Sequence, residues 1–102
     1  MATFISTIKF TDQGMKTVGE TTRRVAAIKT AAKKLGVKIS NVYWTVGSYD
    51  GVLIFEAPDD PAAATFLLQL GSHGNVRTTT NRAFTAAEME ELLPKSSEGG
   101  VG

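Results

Sequence analysis

The order of strand-like and helix-like segments constrains the fold of this chain more than any other feature of its sequence. Four segments are dominated by β-branched and aromatic residues, which favour strands: residues 3–10, 37–46, 52–57 and 75–84. Segments with the apolar spacing of helices separate the first strand from the second and the third from the fourth. This βαββαβ order predicts a ferredoxin-like α+β domain, in which an antiparallel four-stranded sheet carries two helices on one face.

A capping signal and an apolar stripe predict the first helix. Thr17 and Glu20 have the Thr-x-x-Glu spacing of a capping box, in which each side chain accepts from the other residue's backbone N–H. Apolar residues then recur at helical spacing as far as Leu35, and Gly36 suits the left-handed conformation that ends many helices. We therefore expect a helix from Thr17 to Leu35, preceded by a loop around Gly14.

Similar signals predict two shorter helices. Asp60 precedes Pro61, so a carboxylate can cap a helix whose first turn contains proline, and apolar residues continue at helical spacing to Leu70. Thr85 and Glu88 form a second capping box, which opens a short C-terminal helix. The chain is therefore expected to form one domain over residues 1–94, and the Ser-, Glu- and Gly-containing residues 95–102 are expected to form a flexible tail.

Composition excludes several classes of function. The chain has no cysteine, which removes disulfides, thiolate metal sites and cysteine nucleophiles. Its formal net charge of +1 is too small to attract nucleic acid or anionic lipid at long range. The sequence contains no glycine-rich phosphate motif and no apolar run of membrane-spanning length. We expect a cytoplasmic protein without metal or cofactor, and with no nucleic-acid or membrane partner.

Both faces of the predicted sheet carry apolar residues. Phe4 and Ile8 alternate with Ile5 in the first strand, and Phe55 alternates with Ile54 in the third. Two helices can cover only one face of the sheet. A second copy of the chain is therefore expected to cover the other face, giving a homodimer or a larger assembly.

A combination of short motifs resembles the GYD domain family. In order along the chain, these are Gly47 followed by Tyr49-Asp50, Ala57-Pro58-Asp59-Asp60, Gly74-Asn75-Val76-Arg77-Thr78 and Arg82-Ala83-Phe84. The resemblance extends from about residue 3 to residue 93 and implies a dimeric αβ-barrel, in which two ferredoxin-like sheets face each other. It implies no particular biochemical activity.

Tyr49 and Asp50 are the first candidates for ligand binding. A phenol and a carboxylate at a pocket mouth can donate and accept hydrogen bonds. A structural role is the simpler interpretation, because Asp50 and Gly51 form the Asp-Gly pair that tight hairpin turns favour.

His73 and Arg77 complete the candidate site. His73 is the only histidine and lies in the predicted loop over residues 71–74, where an imidazole can act as a base, although a surface position explains it equally well. Arg77 can bind an acidic group of a ligand bidentately, or it can form a salt bridge. The aromatic pair Tyr43-Trp44 can stack on a flat ligand, but burial in the core or in an interface is the simpler explanation.

Three functional hypotheses remain open from the sequence. The first is a domain that binds a small organic ligand in a pocket near the hairpin and residues 71–77, with Tyr49, Asp50, His73 and Arg77 at its border. The second is a cofactor-free monooxygenase or isomerase, which rests on analogy with other αβ-barrel proteins. The third is a purely structural or interaction subunit. No catalytic residue is identified.

Overall fold

A four-stranded antiparallel sheet organises the fold. Its strands are β1 (Ala2–Phe10), β2 (Lys38–Trp44), β3 (Gly51–Ala57) and β4 (Val76–Ala83), arranged in the order β2-β3-β1-β4. Each strand is antiparallel to its neighbours, which is the ferredoxin-like arrangement and confirms the predicted α+β fold. The computed structural model describes residues 1–94, so the predicted flexible tail, residues 95–102, lies outside the described residues.

The helices are α1 (Asp12–Lys16), α2 (Thr21–Lys34), α3 (Asp60–Ser72) and the short C-terminal α4 (Ala86–Leu92), with a 3₁₀ turn (Val18–Glu20) before α2. Within residues 1–94, none of these helices combines the length and the hydropathy needed to cross a bilayer.

Two parts of the prediction for the first helix are wrong: the expected loop around Gly14 contains the separate helix α1, and α2 begins at Thr21, after the 3₁₀ turn. The side chain of Thr11 accepts from the Gly14 backbone N–H and caps α1. The Thr17 side chain caps neither the 3₁₀ turn nor α2; its hydroxyl donates to the Gln13 carbonyl at 3.2 Å instead. Gly14 was expected to interrupt regular structure, but it lies within α1. A Cβ at this position would lie 2.0 Å from the carbonyl oxygen of Asn75, so glycine is needed here for the close approach of the two backbone segments.

Two further local predictions are corrected. The cap of α3 is Asp59, whose carboxylate accepts from the Ala62 backbone N–H at 2.9 Å, so Asp60 lies in the first turn instead. The Asp50-Gly51 pair does not form the hairpin turn, because Gly51 already belongs to β3 and pairs with Trp44; residues 45–50 make the connection. By contrast, the predicted capping box of α4 is confirmed, since both of its hydrogen bonds are present.

The core lies between α2, α3 and one face of the sheet. Phe55 is fully buried there, with its ring stacked on Phe4 at 5.2 Å and edge-on to Phe66 at 5.0 Å between ring centroids. The buried apolar side chains are Phe4, Ala32, Val37, Leu53, Phe55, Ala57, Ala63, Phe66 and Leu70.

The opposite face of the sheet, called the open face below, carries Ile5, Tyr43, Val52 and Ile54. Ile5 pairs with Ile54 between β1 and β3, and Val52 pairs with Tyr43 between β3 and β2. Because strand residues alternate between faces, these side chains point away from the core residues Phe4, Leu53 and Phe55. The sequence prediction that both faces carry apolar side chains is therefore confirmed.

Candidate functional site

An open cavity of about 370 Å³ lies between α2, α3 and the helix-covered face of the sheet. This volume is within the range of small-molecule sites in proteins, which are concave and mostly apolar. Its inner wall is apolar and includes the side chains Ile8, Val25, Ile28, Ile39, Val42 and Leu53.

Small residues at central positions leave this space unfilled. α2 contributes Ala27 and Ala31 to the cavity wall, and β3 contributes Gly51. Gly51 itself cannot carry a larger side chain without moving the backbone, because a Cβ there would lie 2.9 Å from the carbonyl oxygen of Tyr43. Protein interiors are normally close-packed, so a space of this size is available to a bound molecule.

Polar residues gather at one end of the cavity, called the mouth below. They come from the edge of the sheet where β1 and β2 end and where β3 and β4 begin, together with the start of α2 and the end of α3. The polar residues of the mouth are Thr21, Arg24, Asp50, Gln69, His73 and Asn75.

Two hydrogen-bonded groups fix the α2 side of the mouth. Trp44 Nε1 donates to the Thr21 hydroxyl at 3.0 Å, which joins the end of β2 to the start of α2. The Arg24 guanidinium donates to the Thr17 carbonyl at 3.0 Å, to the Thr17 hydroxyl at 2.8 Å and to the Gly14 carbonyl at 3.2 Å. All three acceptors are uncharged. These hydrogen bonds fix the position of the guanidinium without neutralising its charge.

Asp50 and His73, two of the four residues predicted to bind a ligand, lie at the mouth. Asp50 Oδ2 accepts from the Phe10 backbone N–H at 2.8 Å, so one carboxylate oxygen ties the loop before β3 to the end of β1. His73 follows the last residue of α3, with its carbonyl accepting from Gln13 Nε2 at 3.0 Å and its side chain exposed.

Tyr49 and Arg77 do not line the cavity. Tyr49 belongs to the connection over residues 45–50, where its carbonyl accepts from the Thr45 hydroxyl at 2.7 Å. Arg77 is exposed and pairs with Lys9 between β4 and β1, on the open face. The tertiary structure therefore brings together two of the four predicted residues.

Arg24 was missed in the sequence analysis, and Trp44 was attributed to burial in the core or in an interface. Arg24 precedes Ile28 by four positions, which places both on the same side of α2, and this spacing was the available signal. Trp44 is half-exposed and lines the cavity on the helix side of β2.

The described residues contain no complete metal site. Over residues 1–94, no three side chains of His, Asp or Glu gather closely enough to hold an ion. The titratable acid–base groups at the mouth are the imidazole of His73 and the carboxylate of Asp50. The monooxygenase or isomerase activity stays a hypothesis based on fold analogy.

Comparison with known proteins identifies the family. The GYD domain model matches residues 4–93, which is most of the chain. This chain belongs to the GYD domain family. The resemblance inferred from the short motifs is thereby confirmed.

Two relatives of this GYD domain come from Thermus thermophilus. A protein named "Glutamine synthetase and cystathionine beta-lyase binding protein" is 32% identical over 90 residues, which cover 87% of this chain and 95% of the relative. The crystal structure of TTHA0845 from the same species is similar with a TM-score of 0.55 and 27% identity, covering 84% of this chain and 96% of that chain. Both comparisons extend over nearly the whole length of the relative.

Proposed function

We propose that this GYD domain binds a small amphipathic organic molecule in the cavity between its helices and its sheet. The observation that carries the proposal is the combination of an apolar inner wall with polar residues confined to one end. A ligand with an apolar body and one polar group matches this distribution, because its body can leave water while its polar group stays at the mouth.

The groups at the mouth favour a ligand that accepts hydrogen bonds, such as a carboxylic acid. The positively charged guanidinium of Arg24 donates its hydrogen bonds to uncharged acceptors. Asp50 already accepts from a backbone N–H, which partly satisfies its carboxylate. Asp50 and His73 border the proposed site, whereas Tyr49 and Arg77 do not line the cavity and do not enter this proposal.

The single tryptophan allows a direct test, because Trp44 lines the cavity. Titration with anilinonaphthalene sulfonate, which combines an aromatic body with an anionic group, is expected to change Trp44 fluorescence and to saturate. Ala31→Phe fills the cavity and is expected to weaken binding about tenfold or more, which corresponds to about 1.4 kcal/mol.

Ala26→Phe is the matched control, because Ala26 is exposed on the same helix and does not line the cavity. Equal affinity of the Ala31→Phe and Ala26→Phe proteins would contradict binding in the cavity. Native mass spectrometry of the purified protein provides an independent test, since a retained organic molecule should be lost in the Ala31→Phe variant.

We also propose a homodimer that acts as an interaction subunit, because the open face exposes apolar side chains. Ile5 is 37% exposed and Tyr43 is 55% exposed. Burying apolar area contributes roughly 25 cal/mol per Å², so covering several hundred square ångströms would stabilise so small a domain substantially. The relative named as a binding protein for two enzymes supports a role in protein interaction.

Sedimentation equilibrium tests the assembly at micromolar concentration. The expected result is a mass of at least two chains, and a stable monomer would contradict the homodimer. A cytoplasmic location remains a prediction of the sequence analysis.

A further inference from the structure

The C-terminal helix α4 is well formed but has little of its own domain to pack against. Its capping box is complete, with Thr85 N donating to Glu88 Oε1 at 2.8 Å and Glu88 N donating to the Thr85 hydroxyl at 3.1 Å. Within residues 1–94, α4 makes no extensive contact with another helix or strand. Helices this short depend on packing for most of their stability, so α4 needs a surface to pack on.

One side of α4 is apolar and exposed. Met89, Leu92 and Leu93 share a face at helical spacing, and they are 46%, 57% and 47% exposed. The described chain measures 56 × 32 × 18 Å, whereas its longest strand, β1, spans only about 31 Å at about 3.4 Å per residue. This elongated shape fits an α4 that projects from the end of β4.

The charges of α4 and of the open face are complementary. α4 carries Glu88, Glu90 and Glu91 without a basic residue. On the open face, Lys9 and Arg77 lie directly opposite each other between β1 and β4, and like charges in that position destabilise a sheet. An acidic segment beside this basic pair would remove the unfavourable interaction.

We propose that α4 is an exchanged arm, which packs on the open face of a second copy of this chain. Met89 and Leu92 cover apolar side chains of the partner, and Glu90 lies beside the partner's basic pair. This inference rests on the homodimer proposed above. It adds a contact that sets the orientation of the two chains relative to each other.

The strand geometry allows this exchange in a symmetric dimer. Ala83, which leads into α4, lies at one end of the sheet, and the pair of Lys9 with Arg77 lies at the other end. The two-fold axis would lie in the plane of the interface and run perpendicular to the strands. Rotation about this axis places the Ala83 end of each sheet beside the Lys9 and Arg77 end of the partner's sheet. The same contact then occurs twice, as two-fold symmetry requires.

A mixing experiment with two charge-reversal variants tests the exchange. In a Glu90→Lys homodimer, the introduced ammonium group would meet the partner's Arg77, and in an Arg77→Glu homodimer two acidic groups would meet. In the mixed dimer, one of the two contacts pairs the introduced ammonium with the introduced carboxylate, and the other keeps the original pair of Glu90 with Arg77. Native mass spectrometry of an isotope-labelled mixture at low salt is expected to show at least about a fivefold rise in the ratio of mixed to unmixed dimers over the random value.

Glu91→Lys serves as the matched control, because it makes the same charge change on the side of α4 that faces away from the apolar stripe. Mixed with Arg77→Glu, it is expected to give close to random pairing, in which about half of the dimers are mixed. Circular dichroism checks that all variants are folded.

Three results would overturn the exchange. Random pairing in both mixtures with intact dimers would mean that α4 does not contact the partner's basic pair, while the homodimer itself would stand. Equal enrichment in both mixtures would mean that Arg77 responds to overall charge rather than to a docked α4. A monomeric unaltered protein would remove the homodimer and the exchange together.

Discussion

Gly14 is the residue at which the lack of a side chain has the clearest consequence. A Cβ there would lie 2.0 Å from the Asn75 carbonyl oxygen, whereas a Cβ at Gly19 would meet nothing within 4 Å. Gly14→Ala is expected to lower the free energy of unfolding by about 1–3 kcal/mol, because the backbone must shift to relieve the overlap. Urea denaturation of Gly14→Ala beside Gly19→Ala measures this; equal losses in the two variants would contradict the packing argument.

Glu88 is expected to titrate at low pH. The backbone N–H of Thr85, which donates to this carboxylate, holds the pKa of Glu88 below its ordinary value of 4.5. Because the pKa is lower in the folded state, the contribution to stability is present above pH 4.5 and is lost as the pH falls through the folded pKa. Carboxyl ¹³C shifts followed by NMR should give a midpoint below 4.5 for Glu88.

Thr85→Val tests the cause of this lowered pKa, because it removes the hydroxyl of the capping box and loosens the start of α4. The midpoint of Glu88 should then move up toward 4.5. A midpoint of 4.5 or above in the unaltered protein would show that the capping box is not maintained in solution.

A role of His73 in ligand binding can be tested by a substitution that leaves the fold intact. Its side chain is exposed at the mouth, so His73→Ala is expected to leave the thermal midpoint unchanged. If the imidazole donates a hydrogen bond to the ligand, the affinity should fall in the variant. Fluorescence titrations of both proteins measure this, and equal affinity would remove His73 from the site.

At the scale of the elements, α3 depends on its N-terminal cap. Asp59→Ala is expected to lower the free energy of unfolding by about 1 kcal/mol, because it leaves the Ala62 N–H without its acceptor. Asp60→Ala is the natural control, since Asp60 lies in the first turn and does not cap. Urea melts in which Asp60→Ala costs as much as Asp59→Ala would contradict the assignment of the cap.

Local sequence signals identified the elements better than they identified the element ends. The capping box at Thr85 was correct because both of its residues act within one helical turn. Thr17 and Glu20 have the same spacing but do not cap, because Thr17 is engaged by Gln13 and Arg24. The same pattern is thus overridden where other parts of the chain offer competing hydrogen bonds.

At the scale of the whole molecule, the open face is expected to control assembly. Ile54 lies on this face and pairs with Ile5, whereas Phe55 is buried under the helices. Ile54→Glu should therefore give monomers with a lower thermal midpoint, and the midpoint of the unaltered protein should rise with concentration. Leu68→Glu, at an exposed position of α3, controls for the loss of an apolar residue, and equal behaviour of both variants would exclude the open face as the interface.

The candidate site was only partly predictable from the sequence. Asp50 and His73 were selected as polar residues in loops, and the order of the elements places both loops at the same end of the sheet as the mouth. Arg77 follows the same loop as His73, yet strand alternation places it on the open face. Which face a strand residue occupies depends on register, and register is established only when the strands pair.

The sequence by itself determined the order of the four strands and the three longer helices, the two-sided apolar character of the sheet and the family. These features follow from side-chain periodicity and from residues that act within a few positions of each other. The cavity and the projecting α4 were decided only by the tertiary structure. Ala27 and Ala31 of α2 and Gly51 of β3 all line the cavity, and no local pattern specifies that small residues distant in sequence will surround one space in the core.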